Sequence, residues 1–176
     1  MPLPASVTKA QVQTIHTAAG AQGPAKYLAT AAGRAHVPVA LSFAAASGVD
    51  EQLMCFLAIK AYEARATRPA MLWIYEHFVK DPKPGTADRT VNVSAAGKLR
   101  AFELVTGART TAMPGGCHPT AFATVLSEMY HMVAEIDRRY AGAIASPQAS
   151  YSPLGGALRE LEKELVEARK VGLTVA

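Results

Sequence analysis

Five histidines and two cysteines are the first residues whose chemistry has to be weighed. His16, His36 and His77 fall in different segments, and His118 and His131 stand far apart. No two histidines occur at i,i+4 beside an acid, the spacing that sets a pair of imidazoles on one helix face for a metal. Cys117 and His118 are adjacent, but neighbours at a helix start project in different directions and make a poor nucleophile and base. Gly115-Gly116 is not followed by the Lys-Ser/Thr that a phosphate-cradling loop needs. Cys55 lies in a strongly apolar helical stretch and no C-x-x-C pair exists, so both thiols are expected reduced, one of them in the core. No catalytic residue, cofactor or metal is therefore expected. The polar residues left in well-defined places are Glu51-Gln52 at a helix start, Asn92 between two valines, and Arg138-Arg139 near the end of a long helical pattern.

The elements that would carry them are helices. Ser6 is expected to cap a helix over 7–19, with Val12 and Ile15 on one face. Pro24 opens a second, short helix stopped at Gly33, and Pro38 a third closed by Gly48. Asp50 begins a strong helix carrying Leu53, Phe56, Leu57 and Tyr62. Thr67 caps the next, whose Met71, Trp73, Tyr75 and Phe78 read as core. Asp81-Pro-Lys-Pro-Gly85 is a loop. Thr90-Val-Asn-Val93 is extended and leads to Ser94, the N-cap of a helix with Leu99, Phe102 and Val105 as its apolar stripe. Residues 107–117 read as a loop. Phe122, Leu126, Met129, Val133, Ile136 and Tyr140 step by four and three, one stripe over about five turns. After a turn-rich connector at 142–153, a last helix carries Leu154, Leu158, Leu161 and Leu165 inward, with Arg159, Glu160, Glu162, Lys163 and Glu164 outward. Val91-Asn-Val93 is too short to build a sheet, and no strand pair is expected.

The chain of 176 residues fits one domain. Its net charge of +4 is spread among acids, with no basic run and no aromatic-basic interleaving, so nucleic acid is not an expected partner. The mild basic lean favours approach to an acidic protein or an anionic membrane surface. No apolar run reaches the length of a membrane span, and Met1-Pro-Leu-Pro lacks the features of a signal peptide. The expected location is the cytoplasm, with peripheral association at the inner face of the plasma membrane compatible with the charge.

Val49-Asp-Glu-Gln-Leu-Met-Cys-Phe-Leu-Ala-Ile-Lys-Ala-Tyr62 resembles the Glu-Asn-(apolar)-x-Phe-Trp-(apolar)-x-x-x-x-Tyr helix of regulator-of-G-protein-signalling (RGS) domains. Ile74-Tyr-Glu-His-Phe-Val79 is similar to that family's Ile-Tyr-x-x-Phe-(Ile/Val), and Thr90-Val-Asn-Val-Ser94 to its Val-Asn-(apolar)-(Asp/Ser). Asp137-Arg-Arg-Tyr140 resembles its (Asp/Ser)-Tyr-Arg-Arg-Phe end, and Phe43 matches the phenylalanine of the short helix upstream. Order and spacing agree over about 36–145, and the succession of motifs carries the resemblance. It implies an all-α, orthogonal multi-helical bundle of RGS-like type. The whole of 1–176 would be a single helical domain, with helices in 6–33 and 153–171 completing an RGS-like core.

The same resemblance implies a partner and a face. The domain would bind the switch regions of a GTP-loaded heterotrimeric G-protein α subunit and accelerate GTP hydrolysis without a catalytic site of its own. Asn92 matches the asparagine that lies against the Gα glutamine, Glu51 the glutamate of the Glu-Asn pair, and Arg138 and Arg139 the paired arginines. Gln52 stands where asparagine is usual, Asp137 where tyrosine is, and Cys55-Phe56 where Phe-Trp is. These departures leave open an alternative, an RGS-like scaffold docking another protein with no effect on GTP hydrolysis. Plainer roles also stay open: Asn92 as a turn residue, Glu51 and Gln52 as first-turn residues favoured by the helix dipole, and Arg138-Arg139 as a solvated helix end.

Overall fold

A computed structural model describes residues 2–82, 89–107 and 116–175 of the chain. The described residues are mostly helical and form an all-α bundle. Helix α1 (Lys9–Ala19) turns Val12, Ile15 and Ala19 inward. Its cap is Thr8 rather than Ser6. The Thr8 hydroxyl accepts the Gln11 N–H at 3.3 Å while the Gln11 carboxamide accepts the Thr8 N–H at 2.8 Å, a reciprocal capping box. Short helix α2 (Pro24–Leu28) ends well before Gly33. Helix α3 (Val37–Ser47) closes at Gly48, which is in the left-handed region at φ 68° and returns its N–H to the Ala44 carbonyl.

Helix α4 (Asp50–Ala64) is the axle of the bundle. Residues 53 to 59 are all buried, because α2, α3, α5 and α8 pack around it. Helix α5 (Arg68–Ile74), capped by the Thr67 hydroxyl, runs directly into one π-turn at Tyr75–Val79. Helices α6 (Ala95–Gly107), α7 (Ala123–Glu128), α8 (Tyr130–Ala145) and α9 (Ala157–Lys170) follow. Both ends of the chain pack onto the body: α1 lies against α8, α2 and α3, and α9 against α3.

Four further expectations are corrected. The face of α6 turned inward is Gly97, Ala101 and Val105, while Leu99 and Phe102 are exposed, because the small residues let α6 lie close to α7 and the π-turn. The single long helix is two, broken at Met129, although Phe122, Met129, Val133, Ile136 and Tyr140 remain buried along both pieces. Glu164 is 5% exposed rather than outward, whereas Leu154 is 85% exposed. Lastly, Val7–Thr8 (β1) pairs antiparallel with Ser150–Tyr151 (β2), a two-residue ribbon between segments remote in sequence. The register sets Val7 opposite Tyr151 and Thr8 opposite Ser150, and Lys9 adds an N–H bond to the Ala149 carbonyl at 2.8 Å. The loop expected at 107–117 falls for the most part outside the described residues, as does much of 81–85.

Candidate functional site: the corner between α3 and α4

Val49, the N-cap of α4, offers no capping side chain, and the first turn carries Asp50 and Glu51, acids that suit the positive end of the helix dipole. Both lie against Arg89. Its Nη1 donates to Asp50 Oδ2 at 2.7 Å and to Glu51 Oε1 at 3.0 Å, and its Nη2 donates to Glu164 Oε2 of α9 at 2.9 Å. The Arg89 Nε rests against the other Glu164 oxygen, and His77 Nε2 of the π-turn lies 3.2 Å from it. These two nitrogens are within ion-pair distance but off the line of a hydrogen bond. His77 in turn stacks flat on Trp73, with ring centroids 4.9 Å apart.

The electrostatics follow from burial and pairing. Burial opposes the charge of Arg89, and the hydrogen bonds and charges of Glu164 and Asp50 outweigh it, so the guanidinium is held above its ordinary pKa. Burial likewise opposes ionisation of Glu164, and the close approach of His77 and Arg89, with the hydrogen bond from the Arg89 guanidinium, prevails, holding its carboxyl below the usual range. A groove of about 390 Å³ opens beside this cluster, between the turn at 76–82 and α9.

From Arg89 the chain runs to α6 without the extended run expected at Thr90–Val93. The Val91 N–H donates to the Phe78 carbonyl at 2.9 Å and the Val93 N–H to the Val91 carbonyl at 2.9 Å, a γ-turn that sets Asn92 at its exposed tip between buried Val91 and Val93. Ser94 then caps α6, its hydroxyl accepting the Gly97 N–H at 3.0 Å. Glu128 of α7 fixes that cap by accepting the Ser94 N–H at 2.7 Å and its hydroxyl at 2.8 Å. Gln52 is half-buried, and its Oε1 has no hydrogen-bond partner.

Arg138 and Arg139 stand on a different wall. Both are exposed and both pair with Glu135, at 2.9 and 2.8 Å. They line an open hollow of about 590 Å³ with Phe43, Ser47, Gln148 and Tyr151. The two groups of residues are linked along the chain by the short junction between α3 and α4. Ser47 edges the hollow and Asp50 grips Arg89, and three peptide units hold their α-carbons within about 11 Å of each other. Asp137 turns away from both, toward the start of α2, where its Oδ1 accepts the Ala25 N–H at 3.1 Å.

Among the described residues, no group of three or more His, Cys, Asp or Glu is arranged to hold a metal ion, and no helix is long and apolar enough to cross a membrane. Cys55 and Cys117 are both buried. The His118 ring takes the Thr120 N–H at 3.3 Å, and its carbonyl accepts the Tyr62 hydroxyl, so its polar groups serve local structure.

Arg89, Glu164 and His77 escaped the reading of the sequence. Glu164 had left a signal: with Leu161, Leu165 and Ala168 it falls on the buried stripe of α9. Arg89 had left none beyond its place three residues before Asn92. Comparison with protein-family models, with curated proteins and with solved structures finds no match.

Proposed function

We propose that this chain is an RGS-like, protein-binding domain that engages the switch regions of a GTP-loaded Gα subunit and speeds GTP hydrolysis. The observation that carries the reading is the meeting of two motifs far apart in sequence. Through Arg89, the segment bearing exposed Asn92 is tied to the first turn of α4, which bears Glu51 and Gln52. The physics asks little of such a face. A Gα subunit carries its own arginine and a glutamine that orients the attacking water. The partner has only to hold the mobile switch loops in the arrangement of the transition state. An exposed amide that both donates and accepts suits that task.

One observation favours the second reading, an RGS-like scaffold that docks another protein without affecting hydrolysis. Asp137 is spent inside the fold on α2, and Arg138 and Arg139 are each paired with Glu135 rather than with the Glu51 and Asn92 side.

Single-turnover GTP hydrolysis by a panel of Gα subunits separates the two. Acceleration by the native chain, lost at least tenfold in Asn92→Ala at unchanged thermal stability, supports the activator reading. No acceleration of any subunit by a well-folded sample, with partner capture indifferent to nucleotide, supports the scaffold. An exposed residue with buried neighbours on each side leaves stability within about 0.5 kcal/mol when truncated, so the variant reports on binding.

A further inference from the structure

Among the described residues, the guanidinium of Arg89 is the group that ties the proposed face to the C-terminal helix. Three carboxylates, from Asp50, Glu51 and Glu164, converge on it, with side chains 10%, 30% and 6% exposed. Without the guanidinium, these like charges would confront one another in a largely desolvated place. A lysine could not replace it. One ammonium on a flexible stem cannot lie along both Glu164 oxygens and still reach the first turn of α4, whereas the planar fork of arginine does so with its donors already in place. Asn92 lies three residues on, between two buried valines, and its distance from Glu51 and Gln52 depends on how firmly that fork is held.

We infer that Arg89 is a positioning residue for the Glu51–Gln52–Asn92 face, and that Glu164 makes α9 a working part of that face rather than an appendage to it. The inference rests on reading this face as the partner surface, but the device is intramolecular and can be observed without a partner.

The test is amide hydrogen exchange on the full chain, comparing the native protein with Arg89→Lys and Glu164→Gln. Three amides report on the two sides of the clamp: Leu53, which donates to the Val49 carbonyl, Val91, which donates to Phe78, and Val93. The amide of Tyr140, a fully buried residue of α8, reports on global opening. The expected result is exchange at least tenfold faster at Leu53, Val91 and Val93 in both variants, with Tyr140 changed less than twofold. Arg89→Lys keeps the charge and Glu164→Gln keeps the shape, so both retain the fold. Unchanged exchange at the three amides, or an equal rise at Tyr140, would overturn the inference. A response to Arg89→Lys alone would remove α9 from it. Failure of the native chain to accelerate any Gα subunit would count against the proposed function and leave this result standing, so the two are separable.

Discussion

Asp137 shows how one side chain can belong to the fold while sitting in a motif that resembles a binding site. Its carboxylate accepts the N–H of Ala25, the second residue of α2, and so caps from α8 a helix that lacks a cap of its own. A Cβ at Gly23 would lie 2.3 Å from Asp137 Oδ2, and Gly23 itself has φ 82°, so the close approach requires glycine there. Burial is the chief influence on the carboxyl and raises its pKa, while the Ala25 N–H, Lys26 and His16 pull it back down. With the folded-state pKa above the unfolded one, the group's contribution to stability is full below the unfolded value and is lost as pH rises through the folded value. Asp137→Asn keeps an acceptor for Ala25 without a charge to desolvate. Its stability relative to the native chain should therefore improve as pH rises through that window in urea titrations, whereas Asp137→Ala, which also removes the acceptor, should be about 1–2 kcal/mol less stable than Asp137→Asn throughout. A stability difference between the Asp137→Asn variant and the native chain that does not vary with pH would show that the carboxyl is solvated after all.

At the scale of the element, α6 is placed by its smallest residues. Gly97 sits in its first turn, and a Cβ there would meet Val93 Cγ1 and Glu128 Oε1, each at 2.6 Å. In an exposed helix, Gly→Ala gains roughly 0.5–1 kcal/mol. Here Glu128 cannot swing aside without releasing the Ser94 N–H and hydroxyl, and Val93 is buried beside Asn92. Gly97→Ala is accordingly expected to destabilise by about 1–3 kcal/mol, the usual range for overpacking. It should also weaken any partner that reads Asn92. A calorimetric gain in stability from this substitution would contradict the packing. The same close approach explains the misread stripe of α6. Apolar spacing pointed to Leu99 and Phe102, but a helix pressed against its neighbours through Gly97 and Ala101 must turn its bulkier residues outward.

At the scale of the molecule, the two chain ends are built into the bundle. The Leu3 N–H donates to Glu162 of α9 at 3.0 Å, β1 pairs with β2, and the Tyr151 ring meets Phe43 edge-on with centroids 5.2 Å apart. Leu161, Leu165 and Ala168 of α9 join the same continuous core as Val12 and Ile15 of α1. Leu161→Ala should therefore lower the stability of the whole chain by about 2–5 kcal/mol, read as a shift of one cooperative transition by both far-ultraviolet dichroism and tryptophan fluorescence. Separate melting of a C-terminal piece, with the Trp73 signal unmoved, would show that α9 is a detachable addition.

Local chemistry written in the chain determined the helical class and much of the element pattern. Proline openings, the Thr67 and Ser94 caps, the Gly48 stop and the stripe from Phe122 to Tyr140 act over a few residues, so they can be read without knowing what packs where. The Ser94 cap after Val-Asn-Val and the start of α4 were legible for the same reason, though the γ-turn at Asn92 replaces the extended run expected there. Only the tertiary structure decided the rest. The burial of Glu164 depends on a guanidinium many residues earlier in the chain. The break at Met129 and the ribbon between Val7–Thr8 and Ser150–Tyr151 depend on partners that come from elsewhere in the fold. A charged residue on an apolar stripe reads as an outward position until its counter-ion is in place. That pairing is a property of the folded whole and leaves no periodicity in the sequence.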